Sequence, residues 1–172
     1  MTKANDATDI KWRVSREIPH LRRFARSLVS DRDRADDLVQ DCLERAIRKH
    51  HLWRRTGSVR SWLFKILYNV FVNQYRKKMA EVPMDDAVPE LSVPARQEKR
   101  MVCMDIGQAL EKLPPNQKAV ILLIALEGVT YDEAAEVLDI SVGTVRSRLS
   151  RGRDSLRSLY SGKTNVKLRR VK

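Results

Sequence analysis

Arginine and serine side chains recur close together toward the C-terminal end of the chain. The segment TYDEAAEVLDISVGTVRSRLSRGR, residues 130–153, begins with acidic and small apolar residues and then becomes strongly basic. An arginine guanidinium can donate two hydrogen bonds to guanine O6 and N7, and both arginine and serine bind phosphate. The segment therefore predicts a surface that contacts duplex nucleic acid.

Two helix starts within this segment place the basic residues. Thr130 precedes Glu133 by three residues, which is the arrangement of a capping box, and Ser141 is a second candidate N-cap. Asp139, Ile140 and Ser141 leave room for only a short turn between the two helices. We therefore predict a helix-turn-helix, with the basic residues on its second helix.

At about 100° per residue, the second helix has one apolar and one basic side. The apolar arc contains Val142, Val145, Leu149, Leu156 and Leu159. The opposite side contains Arg146, Ser147, Ser150, Arg151 and Arg157. An ordinary solvated helix face is the alternative, but acidic partners at i,i+4 are almost missing, so we favour contact with DNA.

Charge is distributed in blocks along the 172 residues, whose net charge is +12. Residues 1–79 contain 19 Lys and Arg against 9 Asp and Glu, and residues 141–172 contain 10 against 1. Residues 80–140 between them contain 5 against 12. Two basic blocks around an acidic one indicate two separate contacts with a polyanion.

The elements that must position these residues are helices, because helical spacing of apolar residues dominates and strand alternation is absent. We predict an all-α fold of two small helical domains joined by a flexible, proline-containing linker. The predicted parts are a first domain over 10–79, a linker over 80–97, a second domain over 98–161 and a basic tail over 162–172.

Metal, cofactor and membrane signals are weak. Cys42 and Cys103 lie far apart, and the adjacent His50 and His51 would point in different directions on a helix, so we predict no metal site and no cofactor. The sequence has no apolar run of membrane-spanning length and no signal peptide at its N-terminus. We expect a cytoplasmic protein without membrane insertion.

Three motifs resemble bacterial sigma factors of the extracytoplasmic-function (ECF) group of the sigma-70 family. GVTYDEAAEVLDISVGTVRSRLSRGRDSLR resembles region 4. RRFARSLVSDRDRADDLVQDCLERAIRKH resembles regions 2.1–2.2, and SVRSWLFKILYNVFVNQYRKK resembles regions 2.3–2.4. The motifs follow the family's order and spacing, and the short linker lacks the helical region 3 of the larger housekeeping factors.

The resemblance implies a polymerase-binding surface and two DNA-binding surfaces. Core RNA polymerase would be contacted through the clamp coiled coil of its largest subunit and its flap region. The residues implied for the clamp are Asp36, Asp37, Leu38, Gln40, Asp41 and Glu44. Those implied for the −10 element are Asn69, Asn73, Gln74, Tyr75, Arg76 and Lys77. Those implied for the −35 element are Thr144, Arg146, Ser147, Arg148, Ser150, Arg151 and Arg153.

Some of these positions have other interpretations. Trp62 and Leu63, which belong to the same signature as Asn69, are expected to pack in the core, and Tyr75 could be either a base-stacking residue or the edge of the core. Ser150 stands where some family members have a larger side chain, so the family's preferred promoter sequence does not transfer to this chain.

The resemblance implies a transcription initiation factor that directs promoter recognition and melting, is not an enzyme, and is held inactive by an anti-sigma factor. A dimeric helix-turn-helix regulator is the main alternative, but residues 10–79 show no β/α pattern of a receiver domain. An enzyme acting on nucleic acid is a second alternative, which lacks a carboxylate cluster or a nucleophile–base set in the sequence.

Overall fold

A computed structural model of the chain describes residues 2–53, 58–81 and 106–161. Within these ranges every regular element is helical, which confirms the all-α prediction. In order they are α1 (Thr2–Leu28), α2 (Arg32–Arg48), a 3₁₀ turn (His50–Leu52), α3 (Val59–Glu81), α4 (residues 106–111), α5 (Pro115–Ile121), a π turn (Leu122–Leu126), α6 (Tyr131–Leu138) and α7 (Val142–Ser161).

Several sequence predictions fall outside the described residues. These are the predicted linker, apart from residues 80 and 81 at the end of α3, the basic tail over 162–172, and residues 98–105 of the second domain. Cys103 also lies there. None of the described helices combines the length and the apolar character that a bilayer span requires.

Helices α1, α2 and α3 form the first half around a shared apolar core. Asp31 caps α2 by accepting a hydrogen bond from the Arg34 amide at 2.8 Å, and Ser58 caps α3, with its hydroxyl 3.4 Å from the Ser61 amide. α1 begins before the predicted first domain, which starts at residue 10, and accommodates Pro19 in its interior. The largest fully buried side chains of this half are Leu21, Phe24, Leu38, Leu63, Phe64 and Leu67.

The second half comprises α4 to α7. α5 continues into the π turn, and the chain then reverses at Gly128, whose φ of +67° lies in the left-handed region where glycine commonly ends a helix. α7 packs against α5 at Gly152, where an added Cβ would lie 2.7 Å from Ile121 Cδ1. Glycine at this position therefore allows the two helices to approach closely.

The two halves pack against each other as well as within themselves. α6 packs on α3, and the π turn and α5 pack on α1. The buried residues of both halves form one continuous apolar cluster. The basic helix α7 is therefore held close to α3 in this conformation.

Candidate nucleic-acid interface

The predicted helix-turn-helix is present as α6 and α7. Thr130 Oγ1 accepts a hydrogen bond from the Glu133 amide at 3.2 Å, and Glu133 Oε2 accepts one from the Thr130 amide at 2.9 Å, which completes the capping box. Asp139 has a φ of 54°, in the left-handed region, and turns the chain between the helices. Ser141 then caps α7 by accepting from the Thr144 amide at 3.2 Å.

The capping box also changes the acidity of Glu133. The hydrogen bond from the Thr130 amide is the main reason that the pKa of Glu133 lies below its usual value, and the hydroxyl of Ser61 on α3 adds to the effect, while partial burial opposes it. Glu133 is therefore a carboxylate in the folded protein, held between its own helix start and the other half of the chain.

The exposed side of α7 carries the predicted −35 residues. Val145 and Leu149 are buried, as the helical wheel predicted. The residues of the predicted set that are exposed are Arg146, Ser147, Ser150, Arg151 and Arg153, and those that are half-buried are Thr144 and Arg148. Apart from Asp154, which pairs with Arg157 at 3.2 Å, this surface is cationic and hydroxylic over its described length.

Arg151 lies along this surface and makes two hydrogen bonds to Ser147. Its Nε donates to the Ser147 carbonyl at 3.3 Å, and its Nη2 donates to the Ser147 hydroxyl at 3.3 Å. Ser147 in turn donates to the Thr144 carbonyl at 3.1 Å. Both contacts of Arg151 lie on exposed groups, so its guanidinium can exchange them for a base edge or a phosphate.

Sequence reasoning missed the contribution of Tyr131 to this surface, whereas it predicted Arg157 on the basic side of α7. A cleft of about 230 Å³ opens between the start of α6 and the exposed side of α7. The cleft is lined by Tyr131, Arg146, Leu149, Ser150, Arg153, Asp154 and Arg157. A phenol and three guanidinium groups around one cleft suit an anionic ligand such as a DNA phosphate.

The predicted −10 residues lie along the second half of α3 and point to solvent. Asn69, Asn73, Gln74, Tyr75, Arg76 and Lys77 are all exposed. Tyr75 is 42% exposed, with its ring centroid 6.1 Å from that of Phe71, so it extends a stack of rings from the core to the surface. Leu63 is fully buried and Trp62 is half-buried against the core, which confirms that they pack rather than project.

The predicted polymerase surface lies on α2, with one correction. Asp36, Asp37, Gln40 and Glu44 are exposed and Asp41 is half-buried. Leu38, by contrast, is only 1% exposed and belongs to the core. Because Leu38 lies on the side of α2 that faces α1 and α3, it supports the helix and offers no side-chain surface to a partner.

Helix α7 also comes near α3. Burial raises the pKa of the Tyr68 phenol, whereas the positive charges of Arg148 on α7 and Arg76 on α3 lower it. Arg148 therefore lies within electrostatic reach of the first half of the chain.

The second feature that sequence reasoning missed is a cluster joining the two halves. Glu127 is buried, and its carboxylate is contacted by Arg23 and His20 of α1. The charges of Arg23 and Glu127 could be read from the sequence, but the residues are 104 positions apart and no local pattern pairs them.

The chain has two helical units, and the second contains a helix-turn-helix whose second helix, α7, is cationic. This combination defines a two-region transcription factor of the sigma type. Residues 14–68 match the family model described as the Sigma2 domain of PhyR, and residues 103–156 match Sigma-70, region 4. The chain is 37% identical over 144 residues to the ECF RNA polymerase sigma factor EcfG of Rhodopseudomonas palustris, covering 83% of this chain and 80% of that protein. This chain belongs to the ECF RNA polymerase sigma factors.

Solved structures agree with this assignment. The sigma factor RpoE of Bartonella quintana, solved in complex with the anti-sigma factor NepR, is 33% identical and superposes with a TM-score of 0.74 over 89% of this chain and 97% of that one. CnrH, solved with the cytosolic domain of CnrY, is 28% identical, with a TM-score of 0.70 over 92% of this chain and 94% of that one. As a sigma factor, the chain binds core RNA polymerase and directs initiation at promoters.

Proposed function

We propose that the exposed sides of α7, α3 and α2 divide the work of a sigma factor among them. α7 reads the −35 element in the duplex through Arg146, Ser147, Ser150, Arg151 and Arg153, with Thr144 and Arg148 at its margins. α3 captures the −10 element, and α2 docks on core polymerase. The observation that carries the proposal is that two of these surfaces have opposite charge: the exposed side of α7 carries arginines, whereas the proposed contact surface of α2 carries carboxylates.

On α7, arginine and serine suit the two tasks of a major-groove helix. Arg146 is exposed and lines the cleft beside Tyr131, so it can reach a base edge or a phosphate from the start of α7. Arg151 lies beside Ser147 on the same exposed side. Bidentate arginine contacts discriminate guanine, while the serines bind phosphates and fix the register.

On α3, the side chains suit unpaired bases. Asn69 and Asn73 are four residues apart and therefore project from one side of the helix, where their amides can donate to and accept from base edges. The exposed ring of Tyr75 offers a stacking surface, and Arg76 and Lys77 supply positive charge for the backbone. Melting costs about 1.4 kcal/mol per base-pair step, and captured bases offset part of this cost.

On α2, the proposed polymerase contact consists of Asp36, Asp37, Gln40, Asp41 and Glu44, without Leu38. Asp36 lies 3.5 Å from Arg26, and Gln40 donates to Glu44 at 3.2 Å. These pairs are exposed and weak, so they can be replaced by contacts to a basic partner at little cost.

An anti-sigma factor is the proposed regulator, because the structurally similar RpoE of Bartonella quintana was solved with the anti-sigma factor NepR and the similarity extends over both halves. We propose in addition that the chain acts in the cytoplasm and has no catalytic activity of its own. The polymerase carries out RNA synthesis, and the chain supplies sequence recognition and helps to open the duplex.

The test of the proposal is run-off transcription with purified core polymerase, followed by mapping of the transcript starts. We expect initiation at defined sites with a common upstream sequence. Gel filtration should show co-elution of the chain with core polymerase. A DNA-binding dimer that does not associate with polymerase, or a metal-dependent nuclease activity, would contradict the proposal.

A further inference from the structure

Three side chains at the contact between the two halves form what we call the Glu127 cluster: Glu127, Arg23 and His20. The Glu127 side chain is 0% exposed. Arg23 donates through Nε to Oε1 at 2.8 Å and through Nη2 to Oε2 at 2.8 Å, and His20 Nδ1 lies 3.0 Å from Oε2. A buried carboxylate of the second half is therefore paired entirely by side chains of the first.

The geometry of this cluster specifies how the halves meet. A bidentate arginine–carboxylate pair has a fixed orientation, and it is stronger than a single neutral hydrogen bond. Arg23 Nη2 also donates to the Leu126 carbonyl at 3.1 Å, and Arg60 of α3 lies 3.0 Å from His20 Nε2. A buried carboxylate without partners would be costly, so packing of the halves in this manner requires Arg23 in place.

Other contacts between the halves extend the interface on both sides of the cluster. Lys118 Nζ donates to the Leu28 carbonyl at the end of α1 at 3.1 Å, in a buried position. Ser61 of α3 donates to Glu133 at 3.1 Å. Together with the shared apolar core, these contacts describe a specific closed conformation rather than a chance approach of two domains.

The closed conformation cannot use both DNA-binding surfaces on one promoter. Elements at −35 and −10 are about 25 base pairs apart, which at 3.4 Å per pair is roughly 85 Å of duplex. Here α6 packs directly on α3, and α7 follows α6 after a short turn. This step rests on the proposed function of α7 and α3.

We propose that the Glu127 cluster is an intramolecular latch, which holds the chain closed before it meets polymerase and promoter and which separates when both DNA elements are engaged. Opening moves Glu127 from its pairing with Arg23 into water, where solvent replaces the lost hydrogen bonds. The latch is therefore reversible, and its strength sets the fraction of chains that are ready to bind.

The latch is tested by measuring the distance between spin labels on the two halves in the full-length protein. Labels are attached at Arg48→Cys on α2 and Glu136→Cys on α6, two exposed positions outside the proposed contact surfaces, in a Cys103→Ser background. Cys42 is buried and can remain. We expect one short, narrow distance population, and a long one after addition of core polymerase and promoter DNA.

Glu127→Gln and Arg23→Gln should each raise the ratio of open to closed molecules about tenfold, because each removes the charge-assisted pair. Arg22→Gln is the matched control: it removes the same charge from the adjacent exposed position and should leave the distances unchanged. Circular dichroism identifies any variant that loses helix content, and such a variant is left out of the comparison. The distances in the wild-type chain, with and without polymerase and promoter DNA, then decide whether the latch exists.

A broad, long distance distribution in the unbound wild-type chain would overturn the latch. Equal distributions for Glu127→Gln, Arg23→Gln and Arg22→Gln would also overturn it. These outcomes are separate from those of the transcription assay. A chain that initiates transcription but never closes refutes the latch alone, and a chain that closes but never initiates refutes the proposed function.

Discussion

The side-chain amide of Gln74 donates a hydrogen bond to the carboxylate of Asp41, with 3.1 Å between Nε2 and Oδ2. Gln74 belongs to the proposed −10 surface on α3, and Asp41 belongs to the proposed polymerase surface on α2. The bond thus joins the two proposed surfaces of the first half. A polymerase group that pairs with Asp41 would release the Gln74 amide for a base.

We predict that Gln74 and Asp41 are coupled in promoter opening. Gln74→Ala and Asp41→Ala should each weaken open-complex formation, and the double variant should deviate from additivity by about 0.5–1.5 kcal/mol. The measurement is the equilibrium fraction of open complex over a series of polymerase concentrations. The control pair is Gln74 and Glu44, because Glu44 accepts its hydrogen bond from Gln40 and Gln74 donates to Asp41. The effects of Gln74→Ala and Glu44→Ala on open-complex formation should therefore add.

Substitutions on α7 should reduce upstream selectivity without affecting polymerase binding. Arg146→Ala and Arg151→Ala should each cost about 1–3 kcal/mol in discrimination between the preferred and a scrambled −35 sequence. Competition binding to duplex DNA measures the discrimination, and Arg22→Ala on α1 is the control. An equal loss of core-polymerase affinity in the two α7 variants would contradict their assignment to DNA.

Gly152 and Gly143 form a matched pair for the packing of α7. Gly152→Ala should leave the free energy of unfolding unchanged or lower it by up to about 1 kcal/mol, because Ile121 Cδ1, 2.7 Å from the added Cβ, must move within the contact of α5 and α7, and this cost offsets the gain in helix propensity. At Gly143 the nearest neighbour of an added Cβ is Ser141 Oγ at 3.8 Å, so Gly143→Ala should be neutral or stabilise by about 0.5–1 kcal/mol. Urea unfolding distinguishes the two results.

The capping box at the start of α6 should make stability depend on pH. The pKa of Glu133 is lower in the folded than in the unfolded protein, so its contribution is present above the unfolded pKa, about 4.5, and is lost as the pH falls through the folded pKa. Glu133→Gln should cost about 1 kcal/mol at pH 7 and less in acid.

The control for this pH dependence is Glu136→Gln, which removes a carboxylate from an exposed position on the same helix. Thermal unfolding between pH 7 and pH 3 gives the difference in unfolding free energy between the wild type and each variant at every pH. A difference between Glu133→Gln and wild type that stays constant through this range would show that the charge of Glu133 does not stabilise the cap.

The sequence by itself determined the helical fold, the helix-turn-helix and the basic side of α7. These features depend on residues three or four positions apart, as in the capping box of Thr130 and Glu133, and such local spacings can be read without coordinates. The resemblance to sigma factors then followed from motifs in a recognisable order.

Only the tertiary structure decided which of those residues are available and how the halves meet. Leu38 directly follows Asp36 and Asp37, which are exposed, but α1 and α3 pack against it and bury it. The pairing of Arg23 with Glu127 bridges 104 positions. Contacts between distant residues leave no periodic signal in one sequence, because they depend on how whole helices pack.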